Sequence, residues 1–407
     1  MATPDDVAAA ALAWFHAKIP AKKHASNEHT VLAAIVVERE GSLDVLSVGS
    51  GTKCLGQSSL CADGYLIHDA HAEIMCRRAF LRYLYLAAFF IDEAPTIFEH
   101  STNGKLALLA SCKLHLYVSE APCGDAALYN MKADVLEDIH EQKLKRRKLD
   151  SDLVTTVPCR TTGAKEVTST RHSNVRGVAR VKSGRTDIPE ANRTVSMSCS
   201  DKICKWLSCG LQGSLLSQWF APIHLSSVVV SVDTKSDAAS FRDTVTQSLQ
   251  RGGATNVAVA TTTAAFPLTR SLEATTRTSA SGLSLNWTLI PKEWTGPAPL
   301  DTKPDVEYLV GARGLKMGTK KVVDLKTKQK MCSRLARRKL FAAASQLESA
   351  PVERTYAAAK QQQTEYKASQ RAFLTLPSFQ AWKGAPAAMK SFTLACDSDR
   401  TDTQTSA

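Results

Sequence analysis

The sequence predicts an α/β protein whose core is three layers, a sheet with helices on both faces. Three observations predict it. Between Thr30 and Leu55 two apolar runs, TVLAAIVVERE and LDVLSVGSGTKCL, are joined by the turn-forming EGS, which is the pattern of a β-hairpin. Helical spacing flanks this hairpin, in an amphipathic stretch over 5–18 and in a run from DAHAEIMCRRAF to about Phe90. The order helix, hairpin, helix, strand, helix then builds a layered domain, because each amphipathic helix needs a sheet face to cover.

Further along, LALLASCKLHLYVSE supplies the next strand or pair of strands. GDAALYNMKADVLEDIHEQKLKRRK reads as a helix, with Pro122 where a first turn tolerates proline. From 143 to about 195 the composition turns polar and rich in Arg, Ser and Thr, starting at KLKRRK; a basic, partly flexible insertion is expected there. TVSMSCSDKICKWLSCGLQGSLLSQWF restores order as a short strand and a helix, HLSSVVVSVD follows as a strand, and 239–250 is helical. TNVAVATTTAAFPL and SLNWTL read as strands or loops, while 331–346 and 351–374 read as helices rich in Ala, Lys, Gln and Arg. The expected organisation is an initial helix and strand over 1–48, the principal domain over 49–385, and a polar tail over 386–407.

Composition narrows the function. With 407 residues, 44% of them hydrophobic, the chain can bury a substantial core. No run of about 20 uncharged apolar residues occurs, and acids precede the short apolar run at the start, unlike a signal peptide. Eleven irregularly spaced cysteines suit free thiols and metal ligands in a reducing compartment rather than a disulfide framework. The expectation is an intracellular protein, cytoplasmic and/or nuclear, with no membrane association. A net charge of +12 and a pI near 9.2 favour a polyanionic partner such as RNA.

Three motifs each place a metal-ligand residue at an expected helix start: HAE at His71–Glu73, APCGD around Cys123, and MSCSD around Cys199. A helix N-terminus favours negative charge, so both cysteines are expected as thiolates, the form that binds metal. One imidazole and two thiolates leave a tetrahedral Zn2+ one open position, the mark of a catalytic centre. Glu73 is then the free carboxylate. Cys204 and Cys209 offer an alternative thiolate set with Cys199, but in an apolar helix with no paired histidine.

HAE, PCG and SCSDK, embedded in GSGTKC…HAEI…RR and SCSDKICKW…GLQGSLLS, resemble the adenosine deaminase domain shared by tRNA-specific and double-stranded-RNA-specific adenosine deaminases, over roughly Gly49 to Trp382. The wider zinc deaminase signature has a second cysteine close behind the first. Here it comes 76 positions later, at Cys199, the split expected of the RNA adenosine branch. The resemblance implies a cytidine-deaminase-like α/β/α core with a C-terminal helical extension. It implies Zn2+ on His71, Cys123 and Cys199, Glu73 as the proton shuttle, and conversion of adenosine to inosine on an extruded base. Thr52 and Lys53, in the GTK motif, are the expected substrate contacts.

The same helix poses a second problem. Arg77 and Arg78 lie in an apolar run, and a buried guanidinium without a partner costs several kcal/mol. Lys202, Lys205 and Trp206, then Gln212 and Ser214, Arg337, and Tyr356, Lys360 and Tyr366 repeat the pattern of cations in core-like settings with few acids nearby. An enclosed polyanion would resolve it. The resemblance implies inositol hexakisphosphate, with Trp382 also in its contact set, Gln370 standing where a lysine is expected, and Asp69 and Lys202 linking this cavity to the metal. It further suggests tRNA as partner, at adenosine 37 beside the anticodon of alanine tRNA. That rests on the deaminase motifs beginning within the first fifty residues, leaving no room before them for an RNA-binding domain. An editor of structured mRNA and an inactive RNA-binding homologue are the alternatives, and the basic 143–195 stretch is a candidate tRNA surface, nuclear signal or linker.

Overall fold

The computed structural model describes residues 2–23, 27–129, 164–167, 175–182, 189, 192–233, 236–270, 278–320, 324–348 and 354–394. Its centre is an eight-stranded sheet. In chain order the strands are β1 (Leu32–Arg39), β2 (Ser42–Ser50), β3 (Cys112–Val118), β4 (Ser227–Ser231), β5 (Ala258–Thr262), β6 (Leu283–Thr288), β7 (Glu307–Val310) and β8 (Leu315–Lys316). In space they run β5-β4-β3-β1-β2-β6-β7-β8. β3, β4 and β5 are mutually parallel, and the other neighbours pair antiparallel. The expected hairpin is β1–β2. Its turn has positive φ at Glu40 (52°) and Gly41 (82°), the type I′ geometry that matches strand twist.

β1 shows why the sheet needs helices on both sides. Leu32, Ala34 and Val36 pack with Val7, Ala8, Trp14 and Phe15 of helix α1 (Pro4–Lys18), whereas Ala33, Ile35 and Val37 face the opposite way. On that second face lie α2 (Ala72–Phe90), α3 (Cys199–Cys209), α4 (Ala238–Gln250) and α5 (Arg337–Gln346). A strand buried on both faces reads as a continuous apolar run, as β1 does. No helix among the described residues is long and apolar enough to cross a membrane.

Several expectations change. The helix expected from Gly124 begins as a short 3-10 turn, Asp125–Ala127, and residues 130–150 lie outside the described set. The 331–346 helix is interrupted, because Ser333 and Arg334 turn aside to bond Glu307, and α5 starts only at Arg337. The 351–374 stretch holds two helices, α6 (Tyr356–Gln361) and α7 (Thr364–Thr375). β7, β8 and the helix Leu325–Met331 are additions. Much of the expected 143–195 insertion and the 386–407 tail, from 395 onward, falls outside the described residues.

α2 seats directly on the backbone of β2. A Cβ added at Gly49 would lie 2.2 Å from the Cys76 nitrogen and 2.4 Å from the Ala72 oxygen, both backbone atoms that cannot rotate away. Gly49→Ala therefore has to push α2 off the sheet. We expect it to destabilise the protein by about 3 kcal/mol, the upper end for overpacking, read as a lower midpoint in urea unfolding.

Candidate functional site

The loops around the start of α2 and α3 bring three ligand atoms together. His71 ends the short strand Asp69–His71, which pairs with Thr52–Cys54 so that Thr52 lies opposite His71. His71 is also the N-cap of α2 and makes no side-chain capping bond, which leaves its imidazole available. Cys199 is the first residue of α3, whose cap is Ser198: its Oγ accepts from the Asp201 N–H (3.2 Å) and donates to the Asp201 carboxylate (2.6 Å). Cys123 follows β3 on a loop laid against this cap. There Gly124 has φ +109°, and a Cβ on it would sit 2.2 Å from Ser198 Oγ, so only glycine permits the approach. The Ser200 N–H donates to the Cys123 carbonyl at 3.0 Å, fixing the loop to the helix.

His71 Nδ1 is 3.6 Å from Cys199 Sγ and 3.8 Å from Cys123 Sγ, and all three ligand atoms lie within 4.8 Å of one another. Zn–S bonds of about 2.3 Å and Zn–N bonds of about 2.0 Å at tetrahedral angles separate N from S by about 3.6 Å. The donor set fits zinc. Glu73, in the first turn of α2, is 3% exposed and accepts from the Cys199 thiol at 3.1 Å. Burial, and then the Cys123 charge, push its carboxyl up. Cys123 is held well below the usual thiol range, first by its polar contact with Cys199 and further by Lys182 and His71, while burial and the Cys123 charge push Cys199 up. The helix-terminus reason expected for Cys123 does not hold, since only a 3-10 turn follows it. Cys204 and Cys209 sit in an apolar cluster with Tyr366 and Phe373, where burial pushes Cys204 up to about 12, and they do not join the ligand set.

Two residues before His71, Asp69 is a buried hub. It takes the Lys182 ammonium at 2.9 and 2.7 Å, the Lys202 ammonium at 2.6 Å and the Ser196 hydroxyl at 2.7 Å. Burial raises its pKa, but Lys182 and Lys202 outweigh that and hold the carboxyl well below the usual range. Lys182 escaped the sequence reasoning because it lies in the polar stretch read as an insertion. That stretch is not all surface: Arg180–Val181 pairs with Lys165–Glu166, and Arg180, Lys182 and Lys165 are buried.

Behind α2 and α3 lies a cavity of about 350 Å³. Arg77, Arg78, Lys202, Lys205, Trp206, Gln212, Ser214, Arg337, Tyr356, Lys360, Tyr366 and Trp382 all line it, as does Gln370; Lys383 and Lys390 join them without having been anticipated. Among the described residues Asp69 is the one carboxylate in the lining, and it already holds two lysines. Some cations find neutral partners. Arg78 Nε donates to the Leu335 carbonyl at 2.9 Å, Arg337 to that of Met389 at 3.3 Å, and Arg77 lies 5.1 Å over the Trp206 ring. Among the described residues the buried Arg77 Nε finds no hydrogen-bond partner. Burial, Lys360 and Arg77 push Lys205 down to about 7. Thr52 Oγ1 is likewise buried without a partner among the described residues, beside the metal centre, and Lys53 is half-buried next to Gly311.

Comparisons with known proteins agree with this geometry. Residues 47–386 match the model of the adenosine-deaminase (editase) domain. A tRNA-specific adenosine deaminase 1 from Drosophila melanogaster is 34% identical over 232 residues, 56% of this chain and 54% of that protein. The double-stranded RNA-specific editase B2 of Rattus norvegicus is 35% identical over 211 residues, 50% of this chain and 27% of that protein. The Schizosaccharomyces pombe tRNA-specific adenosine deaminase 1 is 30% identical over 229 residues, 53% of this chain and 52% of that protein. The matches thus span about half of the tRNA-specific relatives and about a quarter of the editase. On its motifs, its His/Cys/Cys cluster and a family match covering most of its length, the chain belongs to the adenosine-deaminase (editase) domain family.

Proposed function

We propose that the protein hydrolyses adenosine to inosine in tRNA, at position 37 beside the anticodon of alanine tRNA. The observation that carries the deaminase reading is Glu73: a buried carboxyl with a raised pKa, held against a complete ligand set that does not need it as a ligand. When held by His71, Cys123 and Cys199, Zn2+ supplies a Lewis acid that activates water at neutral pH. Glu73 takes one proton from the water whose oxygen bonds C6 and delivers it to the ring nitrogen next to C6; it then takes the second proton from the new C6 hydroxyl and gives it to the amine, which leaves as ammonia as the C6–N bond breaks. A raised carboxyl pKa suits a group that must both accept and donate near neutrality. The unpartnered Thr52 hydroxyl is positioned to bond the bound nucleoside, and Lys53 to meet its phosphate.

The tRNA assignment is supported by the relatives named tRNA-specific, which share the longer fraction of their length with this chain. An anticodon-loop base is also already splayed, so extruding it costs little. Duplex RNA is the competing substrate, favoured by an equally similar editase. The cationic cavity is assigned to inositol hexakisphosphate, a small ligand with enough phosphate oxygens to meet many cations that lack carboxylate partners. We place the protein in the cytoplasm, the nucleus or both, where such RNA is met.

Inosine measured in tRNA and in duplex RNA after incubation tests the reading. We expect inosine in tRNA with the wild type and a loss of at least about 10²-fold with Glu73→Gln, the size of a general acid–base contribution. Inosine in duplex RNA alone would favour the editor, and none in either would favour an RNA-binding homologue. Phosphate released from the denatured protein should show retained inositol hexakisphosphate.

The cavity assignment also predicts a pH effect. Without an anion, Lys205 titrates near 7 when folded and near 10.4 when unfolded. Between those values the unfolded chain binds the extra proton, so stability rises with pH by up to about 1.4 kcal/mol per unit. A bound polyphosphate keeps Lys205 protonated and removes that slope. Urea unfolding at pH 7 to 9, with and without inositol hexakisphosphate, should show the slope in wild type only without ligand, and in Lys205→Met under neither condition.

A further inference from the structure

We propose that Arg251 is a positioning residue of the metal centre, clamping the Cys123 loop to the start of the Cys199 helix. The proposal rests on the reading that His71, Cys123 and Cys199 hold zinc.

Arg251 sits at the C-terminal cap of α4, remote in sequence from all three ligands. Its Nη2 donates to Asp201 Oδ1 at 2.8 Å, and its Nε lies 3.6 Å from Asp125 Oδ2. Asp201 is two residues after Cys199 and Asp125 two after Cys123. Both carboxylates are buried, at 0% and 3% exposure. Two further N–H groups bond backbone, Nη1 to the Val178 carbonyl at 3.1 Å and Nε to that of Ser248 at 2.8 Å, so Asp125 is met by charge rather than by a hydrogen bond. Asp201 in turn accepts from Ser198 Oγ, the cap of α3, and from the Arg180 N–H at 2.9 Å. Asp125 accepts from the Gly177 N–H at 2.9 Å.

Two buried carboxylates on neighbouring segments repel unless a cation stands between them. The Arg251 guanidinium stands between the two, bonding Asp201 and meeting the charge of Asp125 while its planar fork is held by backbone carbonyls. Cys123 and Cys199 therefore take their separation partly from a group that touches neither sulfur. The other face of Arg251 lies 5.1 Å over the Phe379 ring, which stacks on Phe373 of α7 at 4.2 Å. The clamp thus also anchors the C-terminal helices that line the cationic cavity.

The test compares Arg251→Met, Arg251→Lys and a control, Arg82→Met. Arg82 is fully buried too, but bonds the Asp301 and Lys303 carbonyls, on residues with no part in the metal centre. The readouts are the rate of zinc release to a chelator and the visible spectrum of the cobalt-substituted protein. We expect Arg251→Met to release zinc about 10-fold faster or more, the usual size for an outer-shell partner, and to alter the thiolate–cobalt bands. Arg251→Lys should recover part of the loss, whereas Arg82→Met should lower thermal stability with wild-type release and spectrum. Wild-type release and spectrum in the Arg251 variants, or equal changes in Arg82→Met, overturn the clamp. If Arg251→Met does not fold, Arg251→Lys decides alone, with unchanged bands counting against the proposal. A wild type that takes up neither zinc nor cobalt overturns the metal reading beneath it.

Discussion

The buried contact between Asp69 and the two ammonium groups of Lys182 and Lys202 is the interaction on which the site depends. Burying three charges is costly, and only close, hydrogen-bonded geometry repays it; here the distances are 2.6–2.9 Å and Ser196 adds a further bond. The result fixes the strand that delivers His71. It also joins that strand to α3 through Lys202, and to the 180–182 segment through Lys182. Removing one partner of such a contact costs about 3–5 kcal/mol, because it strands the others without compensation.

From that contact the two helices run in parallel roles. α2 presents His71 and Glu73 at its start and Arg77 and Arg78 one turn later; α3 presents Cys199 at its start and Lys202, Lys205 and Trp206 over the next two turns. Each helix therefore has one end at the metal centre and the following turns in the cavity wall. Residues two apart deep in a helix point apart. His71 and Glu73 converge only because one is the cap and the other lies in the first turn. That placement gives the imidazole freedom to reach a metal while the carboxyl stays buried beside it.

What the sequence made legible follows the same logic. β1 was readable because a strand buried on both faces is continuously apolar and β2 because a turn signal joins it to β1, and the site was readable because HAE, PCG and SCSDK are compact local motifs. The cavity residues were readable as cations in apolar settings. Lys182 was not, since nothing local separates a buried lysine from its neighbours in a polar run; only the fold brings it to Asp69. Arg251 was hidden likewise, its two carboxylates lying on segments distant in sequence. β7 and β8 are too short for a periodic signal. The 331–346 pattern looked unbroken because Ser and Arg are tolerated in helices, while the buried Glu307 that diverts Ser333 and Arg334 comes from β7.

Charge separates the two regions that the helices join. Two thiolates balance the charge of a divalent ion, and Asp69 balances Lys182, so the metal centre and its support are close to neutral when a metal is held. Lys202 is then in surplus, and it lies on the cavity side with Arg77, Arg78, Lys205, Arg337 and Lys360, where no other carboxylate among the described residues lines the wall. Among the described residues the uncompensated positive charge thus lies in the cavity rather than at the metal centre. The like charges on these turns of α2 and α3 face one another across the cavity without touching the ligand set. Cys123 is tied to the start of α3 itself, through Ser200 and the Asp125–Arg251–Asp201 contacts, so Cys199 and Cys123 form one unit of the ligand set while α2 carries His71.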